Sequence, residues 1–302
     1  MANFPSNKIQ ITSDLHLEFY SMTAMSGEEE IELFNKIVTK NPEAKVLALL
    51  GDITLLTTEK CRAQYRRFIE WCIRFWDHVV IVTGNHEYYR KGTESKVDVA
   101  TCDSFLFKLE EEYDHVYFLQ KKALDLGDRV ILGCTLWSHI PDEGDTKQII
   151  TKCLNDYKSI YIFDGTSLRL IQPDDMNRKH ESHVAWLREQ LELYKDREVI
   201  VLTHHTPSMQ GTSDPCYDAR NGETNHMAHA FSTDLTQMIA HNPCIKIWGY
   251  GHTHFNNRQR YARQTLDHDD HSLVSSCLLI SNQFGYMGEN LKSGTYDPGL
   301  TV

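Results

Sequence analysis

The chain has 302 residues, of which 41% are hydrophobic and 24% charged, and it carries a formal net charge of -11 at pH 7. That mixture supplies the apolar surface of a sizeable core and argues against disorder over most of the length. The acidic balance gives no broad cationic field, which counts against a long nucleic acid as partner, whereas small phosphorylated molecules fit if bound metal ions make a local positive site.

Residues 8–13 alternate as a strand, and residues 45–50 form an apolar strand that ends at Gly51-Asp52. Between them Ile31, Phe34, Ile37 and Val38 recur at helical spacing over 28–38, so the chain opens as strand, helix, strand. The pattern repeats with an amphipathic helix over 60–76 and a strand over 78–83 that runs into Gly84-Asn85-His86-Glu87. A helix over 104–113 then precedes a strand at 116–119 and a hairpin in which 124–126 and 130–132 flank Gly127-Asp128. Residues 141–195 read as helical and polar, most strongly over 147–157 and 180–194. They are expected as a helical insert or cap on one domain spanning 1–302. Strands at 198–203 and 244–248 lead into His204-His205 and into Gly251-His252-Thr253-His254. Residues 208–225 read as a long surface loop beside that face, and 273–280 as a last pair of strands.

The eight Cys are scattered without CxxC pairs, which suits reduced thiols better than a disulfide framework or a zinc ribbon. The N-terminal stretch has no apolar core of a signal peptide, and no apolar run approaches membrane-spanning length. A cytoplasmic protein with no membrane partner is therefore expected.

Metal-type ligands gather where five strands end: Asp14 and His16, Asp52, Asn85 and His86, His204 and His205, His252 and His254. Open α/β sheets bind ligands at the carboxyl ends of their strands, where the loops meet. The alternate spacing in Asp14-Leu15-His16 and His252-Thr253-His254 lets an extended segment aim both ligands one way while the residue between faces the core. Carboxylate, amide oxygen and imidazole together suit first-row divalent metals better than calcium or an all-thiolate zinc site. That is too many such ligands for one ion, and Asp52 is the natural bridge between two.

These five blocks, in this order, resemble the calcineurin-like metallophosphoesterase superfamily, in its bacterial-type small phosphohydrolase branch. The likeness extends to Ser281-Asn282-Gln283-Phe284-Gly285-Tyr286 and Tyr296-Asp297-Pro298-Gly299. It implies an α/β fold, a sandwich of two mixed β-sheets flanked by α-helices. It also implies one metal held by Asp14, His16, Asp52 and His254, and a second by Asp52, Asn85, His204 and His252. His86 matches the family's substrate-facing histidine, which is not a ligand. The cofactors implied are two divalent or mixed-valence transition metal ions such as Mn, Fe or Zn. The implied reaction is hydrolysis of a small phosphodiester or phosphomonoester by a metal-bridging hydroxide.

Several neighbours stay open on the sequence. His205 competes with His204 as ligand, and the resemblance favours His204. Glu87, Tyr88 and Arg90 fit either contacts around the site or plain loop residues, and Asn282 and Tyr286 fit structural capping equally well. Cys134 and Trp137 read as core. Asp267-His268-Asp269-Asp270-His271 reads as a solvated turn rather than a third metal site. Gly51-Asp52 runs into Ile53-Thr54-Leu55-Leu56 without the arginine motif of the family's serine/threonine phosphatases, which turns the expectation toward small substrates. The competing readings are a metal-binding interaction scaffold with little turnover and, less well matched to the charge, a nuclease.

Overall fold

The structure is a computed structural model and describes residues 8–20, 27–92, 96–217, 225–262, 276–286, 288–289 and 295–302. The first half of the chain builds a sheet of four parallel strands in sequence order: β1 (Lys8–Thr12), β2 (Ala44–Leu50), β3 (His78–Val82) and β4 (Val116–Phe118). Helices α1 (Gly27–Ile37), α2 (Glu59–Cys72) and α3 (Val99–Glu112) make the crossovers that parallel strands require. Helix α3 begins five residues before the expected position because Asp98 caps it, accepting from the Thr101 amide at 3.1 Å. The C-terminal tail adds an antiparallel edge to β1, with Ile9 donating to Val302 O at 2.9 Å and Val302 to Ile9 O at 2.8 Å.

The second sheet is mixed and has the order β11-β12-β10-β9-β6-β5. Its central strands β6 (Arg129–Cys134), β9 (Glu198–Thr203), β10 (Ile245–Tyr250) and β12 (Ser276–Ser281) are parallel. β5 (Lys122–Asp125) and β11 (Arg258–Ala262) close its edges antiparallel. The pair of strands expected within 273–280 is thus one strand, whose partner β11 lies before residues 263–275. Arg258-Gln259-Arg260 hides that partner in sequence, because an edge strand tolerates charge that a central one cannot. The Asp267–His271 cluster lies outside the described residues.

The side-chain alternation of the strands explains the layering. Val46, Ala48 and Leu50 face the second sheet and pack with Ile9, Ile11, Val80, Val82, Ile131, Ile200, Leu202 and Ile280. Leu47, Leu49, Val79 and Ile81 point the other way, onto Phe34, Phe68 and Leu106 of α1 to α3. The outer face of the second sheet, including Val130, Leu132, Val199 and Val201, is covered by α6 (Pro173–Leu193) and α7 (Thr236–His241) through Val184, Leu187, Leu191 and Ile239. Truncating any of these fully buried leucines to Ala would remove about 2–5 kcal/mol of stability.

The segment 141–195 is only partly helical. It contains α4 (Thr146–Cys153), the single turn α5 (Asp156–Ser159) and α6, but also a hairpin of β7 (Tyr161–Phe163) and β8 (Leu168–Leu170). Helix α6 starts at 173 rather than 180 because Pro173 suits a first turn and Gln172 and Asp175 form a capping box. Tyr89 bridges Ile160, and Asp98 bridges Tyr161, so the segment is tied to the loops that follow β3. Among the described residues no helix is long and apolar enough to cross a membrane.

Candidate metal centre

The carboxyl ends of β1, β2, β3, β9 and β10 converge where the two sheets meet. Backbone bonds knit neighbouring ends: Asp14 N–H donates to Gly51 O at 2.9 Å, His16 N–H to Asp52 O at 2.9 Å, and Gly251 N–H to His204 O at 2.9 Å. Side chains then join one sheet to the other. The Asp14 carboxylate accepts from His252 N–H at 3.0 and 3.2 Å, and His204 Nδ1 donates to Leu50 O at 2.7 Å.

Five of the expected residues leave their strands in the left-handed region: Asp14 at φ 55°, His16 at 46°, Asp52 at 56°, His252 at 75° and His254 at 50°. Such residues cost of order 1–3 kcal/mol each and persist where the surroundings over-determine them. The expectation that an extended D-x-H segment aims both ligands is therefore corrected. Asp14 and His16 both enter the site, but through left-handed turns. Leu15 between them is buried as expected, whereas Thr253 between His252 and His254 is only half-buried and donates to Thr212 O at 2.8 Å.

Ligand-type atoms fall into three clusters: Asp14, His16 and His254; His16, Asp52 and His86; and Asp52, His204 and His252. In the first, His16 Nε2 and His254 Nε2 face each other at 3.0 Å, and Asp14 Oδ1 lies 3.4 Å from His254 Nε2. In the third, Asn85 Oδ1 sits 3.1 Å from His204 Nε2 and 3.2 Å from His252 Nδ1. Asp52 stands between them, with Oδ1 at 3.4 Å from His204 Nε2 and Oδ2 at 4.0 Å from His16 Nε2. His205 is buried beside this group but belongs to none of the three clusters.

This donor set fits bound cations. Two imidazole nitrogens 3.0 Å apart repel through their lone pairs unless a proton or a metal ion lies between them. Burial pushes His204 and His254 toward the neutral form, but the carboxylates of Asp52 and Asp14 overrule it and hold them up at about 9 and about 10. The pocket of carboxylates thus draws in positive charge.

Glycines make room for the ligands. A Cβ on Gly84 would stand 2.1 Å from Asp52 Oδ1 and 2.6 Å from His204 Cε1. Glu87, which the sequence leaves undecided, accepts the amides of Asp52 at 2.9 Å, Ile53 at 2.8 Å and Gly84 at 2.8 Å, and so fixes both glycine turns. Tyr88 and Arg90 point away from the cluster, Arg90 donating to Tyr161 OH at 3.3 Å.

Further residues complete the site. Glu18, two positions past His16, accepts from His86 Nδ1 at 2.9 Å, and no strand end in the sequence points to it. Tyr286 OH lies 3.0 Å from His86 Nε2, so that tail residue reaches the site, whereas Asn282 ties strand ends by donating to Ile11 O at 2.8 Å and Asp297 O at 2.7 Å. Glu289 and Gln283 hold His254, through Nδ1 at 2.7 Å and the backbone amide at 2.6 Å. Asp156 of α5 accepts from Asn85 Nδ2 at 2.8 Å. Burial drives the His86 ring down, yet Asp52 and Glu18 outweigh it and leave its pKa above the ordinary value.

Two known proteins resemble this chain along most of its length. The uncharacterized protein L509 of Acanthamoeba polyphaga mimivirus is 27% identical over 295 residues, covering 95% of this chain and 94% of its own. The crystal structure of phosphopantetheinyl hydrolase (PptH) from Mycobacterium tuberculosis superposes with a TM-score of 0.64 at 17% identity, covering 98% of this chain and 95% of that one, which shows a shared fold. The profile described as calcineurin-like phosphoesterase matches residues 8–256. Since that span takes in every strand end from Asp14 to His254, the chain belongs to the calcineurin-like phosphoesterase family.

Proposed function

We propose that the protein is a dinuclear metal-dependent hydrolase of a small phosphodiester or phosphomonoester. The observation that carries this reading is the placement of Asp52, whose two carboxylate oxygens face different ligand clusters. Asp14, His16 and His254 would hold one divalent transition ion, Asn85, His204 and His252 the other, and Asp52 both. When bound, such ions supply positive charge to phosphoryl oxygens and lower the pKa of water from 15.7 toward about 7.

The chain's own groups do the rest. Glu18 takes the His86 Nδ1 proton in a hydrogen bond, which turns Nε2 toward the open side, where it meets Tyr286 OH at 3.0 Å. Asp52 and Glu18 raise the pKa of His86 and so favour the protonated ring, which can donate to a phosphoryl oxygen or to the leaving oxygen. Residues 1–302 act as one domain in this reading, with 141–195 as an insert beside the site. Its partner is a small phosphorylated molecule in the cytoplasm, with no role for long nucleic acid or membrane.

The test is a substrate screen of the manganese-, iron- or zinc-loaded protein. Aryl phosphate, aryl phosphodiester, cyclic nucleotides and a phosphopantetheinyl substrate would be compared with single-stranded DNA. Turnover of a small ester with two metal equivalents bound is expected. No turnover of any ester at full metal occupancy would favour the scaffold reading, and turnover of DNA alone the nuclease.

A further inference from the structure

A second cavity, of about 430 Å³, lies beside the metal cluster under the 141–195 segment. Its floor is the loops that follow β3, β4 and β6, and its roof is one face of α6, which contributes Asp175, Arg178, Lys179, Ser182 and His183 at helical spacing. Tyr88 and Trp137, both buried and stacked with centroids 5.8 Å apart, line its inner side. Trp137 in turn stands 5.3 Å from the His205 ring, so the cavity and the metal cluster share a wall but no ligand.

The polar lining is biased toward donors. Lys179 is half-buried, and among the described residues no hydrogen bond or ion pair reaches its ammonium group. A half-buried ammonium without a partner is partly desolvated at a cost, and an anion would relieve it. His183 Nδ1 accepts the Leu136 amide at 3.1 Å, so the proton of the neutral ring sits on Nε2, which no described residue accepts. Lys121 adds a second ammonium, donating to Ser182 Oγ at 2.9 Å. Against these stands one carboxylate, Asp103, which already accepts from Tyr88 OH at 2.7 Å. Asp175 is taken up by Arg169 and Arg178, which removes that pair from the balance. One net positive charge remains, facing Val99, Ile162, Phe163 and the two aromatic rings. Its size also falls within the range of small-molecule pockets.

We propose that this cavity binds a small organic monoanion, a carboxylate or sulfonate on an apolar or aromatic body, at a site distinct from the metal cluster. Helix α6 would supply the charge, and Tyr88, Trp137 and Phe163 the apolar contact.

Calorimetric titration of the metal-loaded protein with benzoate, benzenesulfonate and neutral benzamide tests this. Saturable binding of at least one of the two anions is expected, at least roughly tenfold tighter than benzamide, because a charged hydrogen bond is worth about that much. Lys179→Met should weaken the anion at least tenfold, whereas Asp52→Asn should leave it bound. Should Lys179→Met unfold, Lys121→Met at the exposed rim serves instead, with a several-fold loss expected. Equal binding of benzamide, no binding of either anion, or anion binding lost in Asp52→Asn but kept in the lysine variant would overturn the assignment.

Discussion

Asn85 Nδ2 donates to Asp156 Oδ1 at 2.8 Å across 71 residues of chain. The bond decides which way the amide points. With its nitrogen held by Asp156 and, at 3.1 Å, by Tyr89 OH, the Asn85 oxygen must face His204 and His252. Groups that orient a metal ligand in this way typically change affinity or activity by about 10–100-fold when removed. Asp156→Ala is therefore expected to weaken metal binding by about that factor while the far-ultraviolet circular dichroism stays that of the parent. Metal titration followed by activity checks it, and an unchanged binding curve would show that Asn85 needs no help.

Asp52 and His86 are adjacent in the site, with His86 N–H donating to Asp52 Oδ1 at 2.8 Å, yet their variants should fail differently. Asp52→Asn removes the charge that both clusters share, so metal stoichiometry and kcat should fall together, kcat by roughly 10³-fold. His86→Asn should keep both metals and lose about 10²–10⁴-fold in kcat, the usual scale for a lost acid or base. Elemental analysis of purified variants beside single-substrate kinetics separates the two. Normal metal content with near-normal hydrolysis in Asp52→Asn would sink the two-metal reading.

Gly84 tests the packing beneath the ligands. The added methyl of Gly84→Ala would meet the Asp52 carboxylate at 2.1 Å and His204 Nε2 at 2.7 Å, neither of them the loose end of a flexible side chain. Overpacking of this kind costs about 1–3 kcal/mol, and here the displacement falls on ligands. The variant should fold with a lowered Tm and bind metal more weakly. A Gly84→Ala protein with parental Tm and parental metal affinity would mean that the turn relaxes freely.

The convergence of these side chains was legible because each candidate ligand follows closely on an apolar strand, and strands of this kind announce themselves by composition. Glu18, Asp156, Tyr286 and Glu289 were not assigned, since each reaches the site from a loop, a single helical turn or a tail whose path only the tertiary fold sets. The hairpin of Tyr161–Phe163 with Leu168–Leu170 was masked by helices on both sides, and β11 by the charges of an edge strand. The left-handed turns at Asp14, His16, Asp52, His252 and His254 carry no decisive sequence mark, because Asp and His enter that region more often than most residues yet still uncommonly.

The pH dependence of stability should carry a contribution from His183. Burial, reinforced by Lys179, Lys121 and His180, drives its pKa from the ordinary 6.5 down to about 3. The folded ring therefore stays neutral where the unfolded ring takes a proton. Its stabilisation is complete above about pH 6.5 and is lost as pH falls from there toward 3, by up to about 1.4 kcal/mol per unit. Asp103 works in the opposite sense over part of this window. Burial lifts its pKa to about 6, so the folded state gains relative stability as pH falls from about 6 toward 3.8. A variant comparison removes that overlap. His183→Gln keeps an acceptor for the Leu136 amide but cannot be protonated, so its urea stability between pH 6.5 and 4.5 should fall less steeply than the parent's. Parallel pH profiles for the two proteins would mean that His183 takes up its proton in the folded state, and that the cavity admits more water than its lining allows.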